Sequence, residues 1–188
     1  MGFTRAELET FRDATVPDLL GDDLRLLFVG INPGLWTAAT GTHFARPGNR
    51  FWPALRRAGV VTRDLDTSAT LSSDDTAYLT GLGLGITNLA PRATARADEL
   101  TVDELREGRT RLETLVATRR PAVVAVAGIT AYRTAFGLPR TRQGRQPDDL
   151  HGSALWVVPN PSGLNAHETV ETLAGAYREV AVAAGIVT

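Results

Sequence analysis

Short apolar runs that end at glycine or proline and alternate with helix-length amphipathic stretches are the strongest constraint on the fold of this chain. The run Leu24-Arg25-Leu26-Leu27-Phe28-Val29 is nearly continuous in apolar residues and stops at Gly30 and Pro33, which reads as a buried strand running into a loop. Similar runs recur at Leu84 to Leu89, Ala122 to Ala127 and Leu155 to Pro159. Between and after them lie helical patterns over Arg50 to Ala58, Asp98 to Thr118, Thr130 to Phe136 and Glu168 to Ala184. A short amphipathic helix over Thr4 to Asp13 is broken off before Pro17. Strands that alternate with helices pair in parallel, because a parallel connection needs a crossover of about helix length. The predicted fold is α/β, a three-layer α/β/α sandwich with a short central, mainly parallel sheet. Ligands of such sheets sit outside the carboxyl ends of the strands. Two of the runs lead straight into unusual loops, GINPGL after Val29 and NPSGLN after Val158, so both loops are predicted to face one crevice. The polar stretch Arg140 to Asp149 reads as a flexible surface loop.

Composition removes several chemistries. With 188 residues, 43% hydrophobic and 22% charged, the chain fits one domain over residues 1–188 with a core that needs no staples. Cysteine is absent, which excludes disulfides, thiol nucleophiles, thiolate zinc sites and iron–sulfur clusters. All 20 Lys-or-Arg residues are arginine, so a lysine Schiff base, and with it a lysine-dependent AP-lyase step, is impossible. Three scattered histidines offer no ligand cluster, so no metal and no cofactor are expected. The net charge of -1 gives no overall attraction to a polyanion; binding to nucleic acid would rest on local arginines. No run of about eighteen apolar residues occurs and the N-terminus is polar, so no membrane span and no signal peptide are expected, and a cytoplasmic location follows.

In the first loop, Pro33-Gly34 forms a turn whose amides can face an anion. Asn32 can hold a water by donating and accepting at once, but it cannot take a proton as a base would. Taken alone, this loop reads equally as a strand-ending turn, and Phe44 and Trp52 as core aromatics. The second loop, Asn160-Pro161-Ser162-Gly163-Leu164-Asn165, shifts the balance. It places apolar Leu164 at a tip flanked by small polar residues, a pattern suited to a wedge into a base stack.

Together, GINPGL, TGTHFARPGNRFW and NPSGLN resemble the two signature motifs of the mismatch-specific uracil and thymine DNA glycosylases, within the uracil-glycosylase superfamily. The similarity runs from about Leu24 to Val180 and takes in GITNLAPRAT and the closing AYREV. The resemblance implies that Asn32 holds the attacking water near C1′ and that Phe44 stacks on an extruded base. It gives the backbone around Ile31, Gly34 and Phe44 the task of reading the pyrimidine edge, with His43 and Asn88 completing the base pocket. Gly163, Leu164 and Asn165 correspond to the wedge that fills the vacated stack, and Thr37, Asn160 and Ser162 fall where DNA is contacted. Arg50 and Arg92 are the phosphate candidates nearest the crevice in sequence, with Arg46 a third. The implied activity is hydrolytic excision of uracil from G·U mispairs in double-stranded DNA by a monomer without lyase activity, initiating base excision repair. His43 and Asn88 both look like the thymine-processing form, which extends the expectation to G·T. The chain departs from the family at Ala166, where an arginine is common. Two alternatives stand beside this reading: a glycosylase of the same fold for deaminated purines or ethenocytosine, and a catalytically silent nucleic-acid-binding module.

Overall fold

The computed structural model describes residues 2–188; Met1 lies outside them. Five strands form one sheet: β1 (Leu26–Gly30), β2 (Leu84–Asn88), β3 (Val123–Ala127), β4 (Gly144–Arg145) and β5 (Ala154–Val158), in the order β2-β1-β3-β5-β4. Every pairing is parallel except that of β4 with β5. The helices are α1 (Arg5–Glu9), α2 (Leu35–Thr40), α3 (Phe51–Arg57), α4 (Ser73–Gly81), α5 (Val102–Arg119), α6 (Ile129–Phe136) and α7 (Val170–Ala183).

Side chains alternate across a strand, and here both faces are covered. Leu26, Phe28, Ile86, Val123 and Ala125 pack with Phe51, Leu55, Leu173 and Tyr177 of α3 and α7. Leu27, Val29, Val124 and Val126 pack on the other side with Leu112, Val116, Tyr132 and Phe136 of α5 and α6. Burying a side chain such as Phe51 contributes about 1.5–3 kcal/mol. The predicted three-layer sandwich is therefore the fold. The chain leaves β1 toward one edge of the sheet and returns across it to β3, so the strand order switches at β1 and β3. Their carboxyl ends, with that of β5, define the crevice.

Some elements differ from the sequence prediction. The stretch Arg140 to Asp149 is not all loop: β4 lies within it, and the buried Gln146 amide donates to the carbonyls of Arg142 and Gly144 at 2.9 and 2.8 Å. One buried side chain thus satisfies two main-chain carbonyls of a segment that is otherwise polar. α1 is a single short turn of helix, fixed by a capping box between Thr4 and Glu7. The long helix starts at Val102 and not at Asp98, because Thr101 forms a capping box with Glu104. α2 and α4 were not predicted; α4 is polar and buries only Leu79, so it carries almost no apolar periodicity.

Candidate active site

β1 ends at Gly30, where a β-carbon would lie 2.4 Å from Asn88 Oδ1 and 3.3 Å from the Phe44 ring. Only glycine allows the Asn88 amide and the Phe44 ring to close over the strand end. Two residues further on, the Asn32 side chain donates from Nδ2 to the carbonyls of Pro33 (3.1 Å) and Arg92 (3.0 Å) and to Thr94 Oγ1 (2.7 Å). Carbonyls only accept, so the amide has one possible orientation. Thr94 Oγ1 in turn donates to the Arg96 carbonyl at 2.7 Å, which leaves it an acceptor toward Asn32. The result is an Asn32 whose NH2 is engaged by the protein and whose Oδ1 remains available as an acceptor. Thr94 is buried and reaches Asn32 through a bridge between Gly34 and Thr94.

The base-side wall is built from His43, Phe44 and Asn88. Phe44 holds a left-handed backbone with φ 58, and its ring stacks on Phe51 at 4.0 Å and 22°. That conformation is sparsely populated for an aromatic residue. It is held by Trp52, whose indole N–H donates to the His43 carbonyl at 2.9 Å. His43 is 5% exposed; its Nε2 lies 3.0 Å from the Pro17 carbonyl, and its Nδ1 lies 3.4 Å from Asn88 Nδ2. A carbonyl partner requires Nε2–H, so Nδ1 is the acceptor for the Asn88 amide. Burial pushes the His43 pKa below its ordinary value of 6.5, with the Pro17 contact and Asp18 opposing the shift. The ring is therefore neutral at pH 7.

The second loop leaves β5 through Pro159, whose carbonyl accepts from the buried Tyr177 hydroxyl at 3.2 Å. A chain of small turns follows: Ser162 N–H donates to Asn160 Oδ1 (2.9 Å), Asn165 N–H to the Ser162 carbonyl (2.9 Å), and Leu164 N–H to Ser162 Oγ (3.3 Å). Gly163 packs so closely on the first loop that a β-carbon would lie 2.6 Å from the Gly48 carbonyl. Leu164 projects from the tip, 71% exposed.

A pocket of about 140 Å³ opens between the two loops. Of the residues expected from sequence, Ile31, Asn32, Gly34, Thr37, His43, Phe44, Asn88, Asn160 and Ser162 line it. Gly163, Leu164 and Asn165 lie outside it on the adjacent loop. The two arginines expected to meet phosphate are otherwise engaged. Arg92 pairs with Glu104 and with Asp13 at 2.9 Å and donates to the Glu99 carbonyl at 3.1 Å; its hydrogen bond to the Glu104 carboxylate, the largest of several causes, lowers the Glu104 pKa to about 2. Arg50 is turned onto the second loop, donating to the carbonyls of Ser162 (2.5 Å), Asn165 (2.7 Å) and Glu168. Sequence places each guanidinium near the crevice but does not announce the acceptors that engage it within the fold. Arg46, exposed at the pocket and without a side-chain partner among the described residues, remains free to meet an anion. Thr94 was missed; the only signal for it lay in the quoted stretch GITNLAPRAT. Among the described residues no three histidine or carboxylate side chains gather as a metal site.

The crevice at the carboxyl ends of the parallel sheet carries a pinned amide on one wall and an aromatic ring on the other. A family model of the Uracil DNA glycosylase superfamily matches residues 17–181, and the chain belongs to that superfamily. Its members are DNA glycosylases, and DNA is its partner. The fold is also similar to a solution NMR structure from Methanosarcina acetivorans, provisionally described as a uracil DNA glycosylase. That match has a TM-score of 0.56 and 14% sequence identity, and covers 88% of this chain and 96% of the other.

Proposed function

We propose that this protein extrudes uracil from G·U mispairs in double-stranded DNA and hydrolyses its glycosidic bond, as a monomer without lyase activity. The observation that carries the reading is the Asn32 amide: its donors are consumed by Pro33, Arg92 and Thr94, so Oδ1 offers itself to a water and Phe44 lies across the same pocket. The C1′–N1 bond breaks first, and its electron pair leaves with the base. Positive charge develops on the sugar, and negative charge on uracil O2 is met by backbone amides of the first loop. The water held by Asn32 then bonds to C1′ and loses its proton to solvent or to the departing base. None of the groups on the pocket wall is a carboxylate, and His43 is neutral and bonded to Pro17, so water is positioned rather than deprotonated and the chemistry is slow.

Leu164, exposed beside the pocket, fills the gap in the stack. Extrusion costs a few kcal/mol and least for a mispaired base, so selectivity for mispairs resides partly in the DNA. The Asn88 amide, oriented by His43, supports acceptance of thymine as well as uracil, because both bases present the same O4 and N3–H edge.

The test is incubation of purified protein with G·U, A·U and G·T duplexes, followed by alkaline cleavage of abasic sites. Wild type is expected to release uracil from G·U fastest and thymine from G·T more slowly, and Asn32→Ala to release neither at a comparable rate. Binding to G·U without release by the wild type would favour a silent nucleic-acid-binding module.

A further inference from the structure

Arg50 stands out from the other arginines near the crevice because every donor bond it makes is to a main-chain carbonyl of one segment. Its backbone N–H donates to Pro161 at 3.0 Å, and its guanidinium donates to Ser162, Asn165 and Glu168. Four carbonyls of residues 161–168 therefore converge on one residue of the first loop. Without a donor between them, these dipoles would face one another across a gap. The planar fork of arginine fits such a convergence, since it presents several donors in fixed directions and carries the charge that strengthens each bond. Apart from the packing of Gly163 on Gly48, the loop's other contacts are weak: Leu164 is 71% exposed, and its internal bonds are short-range turns.

We infer that Arg50 is a positioning residue that holds the Pro161–Glu168 loop in the shape needed to enter DNA, so that its guanidinium serves base extrusion and not phosphate binding. Binding through the main chain leaves the Leu164 side chain, 71% exposed, free for the duplex, while Ser162 and Asn165 make only local contacts within the loop. The close fit of Gly163 onto Gly48 carries the same coupling: residues 48–50 of the base-side segment and the wedge loop move as one unit. Lysine at position 50 would supply charge without the fork and reach fewer of the acceptors.

The inference rests on the glycosylase reading, and two measurements keep their failures apart. The first is amide hydrogen exchange of residues 160–169 in free wild type, Arg50→Lys and Arg50→Ala, which needs no activity. Exchange is expected to rise at least tenfold in Arg50→Ala and less in Arg50→Lys, with the β1 and β3 amides unchanged as proof of folding. Unaltered loop exchange would overturn the inference whatever the enzyme does. The second is single-turnover excision from a G·U duplex and from a duplex with uracil opposite a stable abasic analogue, where no partner base resists extrusion. Arg50→Ala is expected to slow the first by about 10- to 100-fold and the second by less than threefold. Equal slowing on both substrates, or an unchanged rate with a salt dependence of binding reduced by about one phosphate contact, would mean that Arg50 acts in chemistry or on phosphate. No release by wild type from either duplex would count against the glycosylase reading alone, leaving the exchange result to decide the role of Arg50.

Discussion

The two loops that meet at the crevice are held in opposite ways. In the segment from Gly30 to Trp52, functional groups are fixed through their own side chains: Asn32 by Pro33, Arg92 and Thr94, His43 by Pro17, and Phe44 by its stack on Phe51. In the segment from Pro159 to Glu168, the main chain is fixed, with Tyr177 and Arg50 supplying donors from outside, and the Leu164 side chain at the tip is left free. Groups that must meet reacting atoms gain from rigidity, because geometry is most of what they contribute. A group that must enter a base stack gains from exposure on a backbone that is already shaped. The contrast predicts a division of labour, with chemistry in the first loop and opening of the duplex in the second.

The sharpest way to break that division is Asn32→Ala. It is expected to lower the single-turnover rate by roughly 100- to 1000-fold, the scale of losing one preorganised polar group at a reacting centre, and to do so equally on G·U and on unpaired uracil. Thr94→Val keeps the shape but removes the hydroxyl that orients Asn32. A loss of about 10-fold on both substrates is expected, read in the same assay; a loss confined to G·U would move Thr94 to the other side of the comparison. Leu164→Ala should slow G·U excision by about 5- to 10-fold while leaving unpaired uracil within twofold.

The smallest effect concerns pH. Because burial lowers the His43 pKa below 6.5, the unfolded chain takes up a proton that the folded chain refuses as pH falls through that value. The folded state binds fewer protons there, so stability falls on acidification and recovers above it. Wild type is expected to lose about 2–4 °C more in Tm than His43→Gln between pH 7.5 and 5.5, measured by thermal melts at both pH values. The excision rate of wild type should stay flat from about pH 6.5 to 9, since no group in the pocket titrates as a base.

The layers of the fold were legible in sequence because strands buried on both faces read as unbroken apolar runs, as Leu26 to Val29 and Val123 to Ala127 do. β4 was not, since it is a two-residue pairing with β5 inside an otherwise polar stretch, which carries no apolar run. At the site, Asn32, Phe44 and Leu164 were singled out by the resemblance of their loops to the family motifs, and the structure brings those loops together. The partners were not. Thr94 reaches Asn32 only through the bridge at Gly34, and the acceptors that capture Arg50 are main-chain carbonyls, which no residue identity announces. The partners of Arg92 were hidden for a related reason: Asp13 and Glu104 lie on separate segments that only the folded chain brings together.

The division between the loops is tested most directly by one set of single-turnover rates, for wild type, Asn32→Ala and Leu164→Ala, each on a G·U duplex and on uracil opposite a stable abasic analogue. The account predicts that Asn32→Ala falls by the same factor on both substrates and that Leu164→Ala falls on G·U alone. Equal losses for Leu164→Ala on the two substrates, or a loss for Asn32→Ala that disappears when the uracil is unpaired, would contradict it.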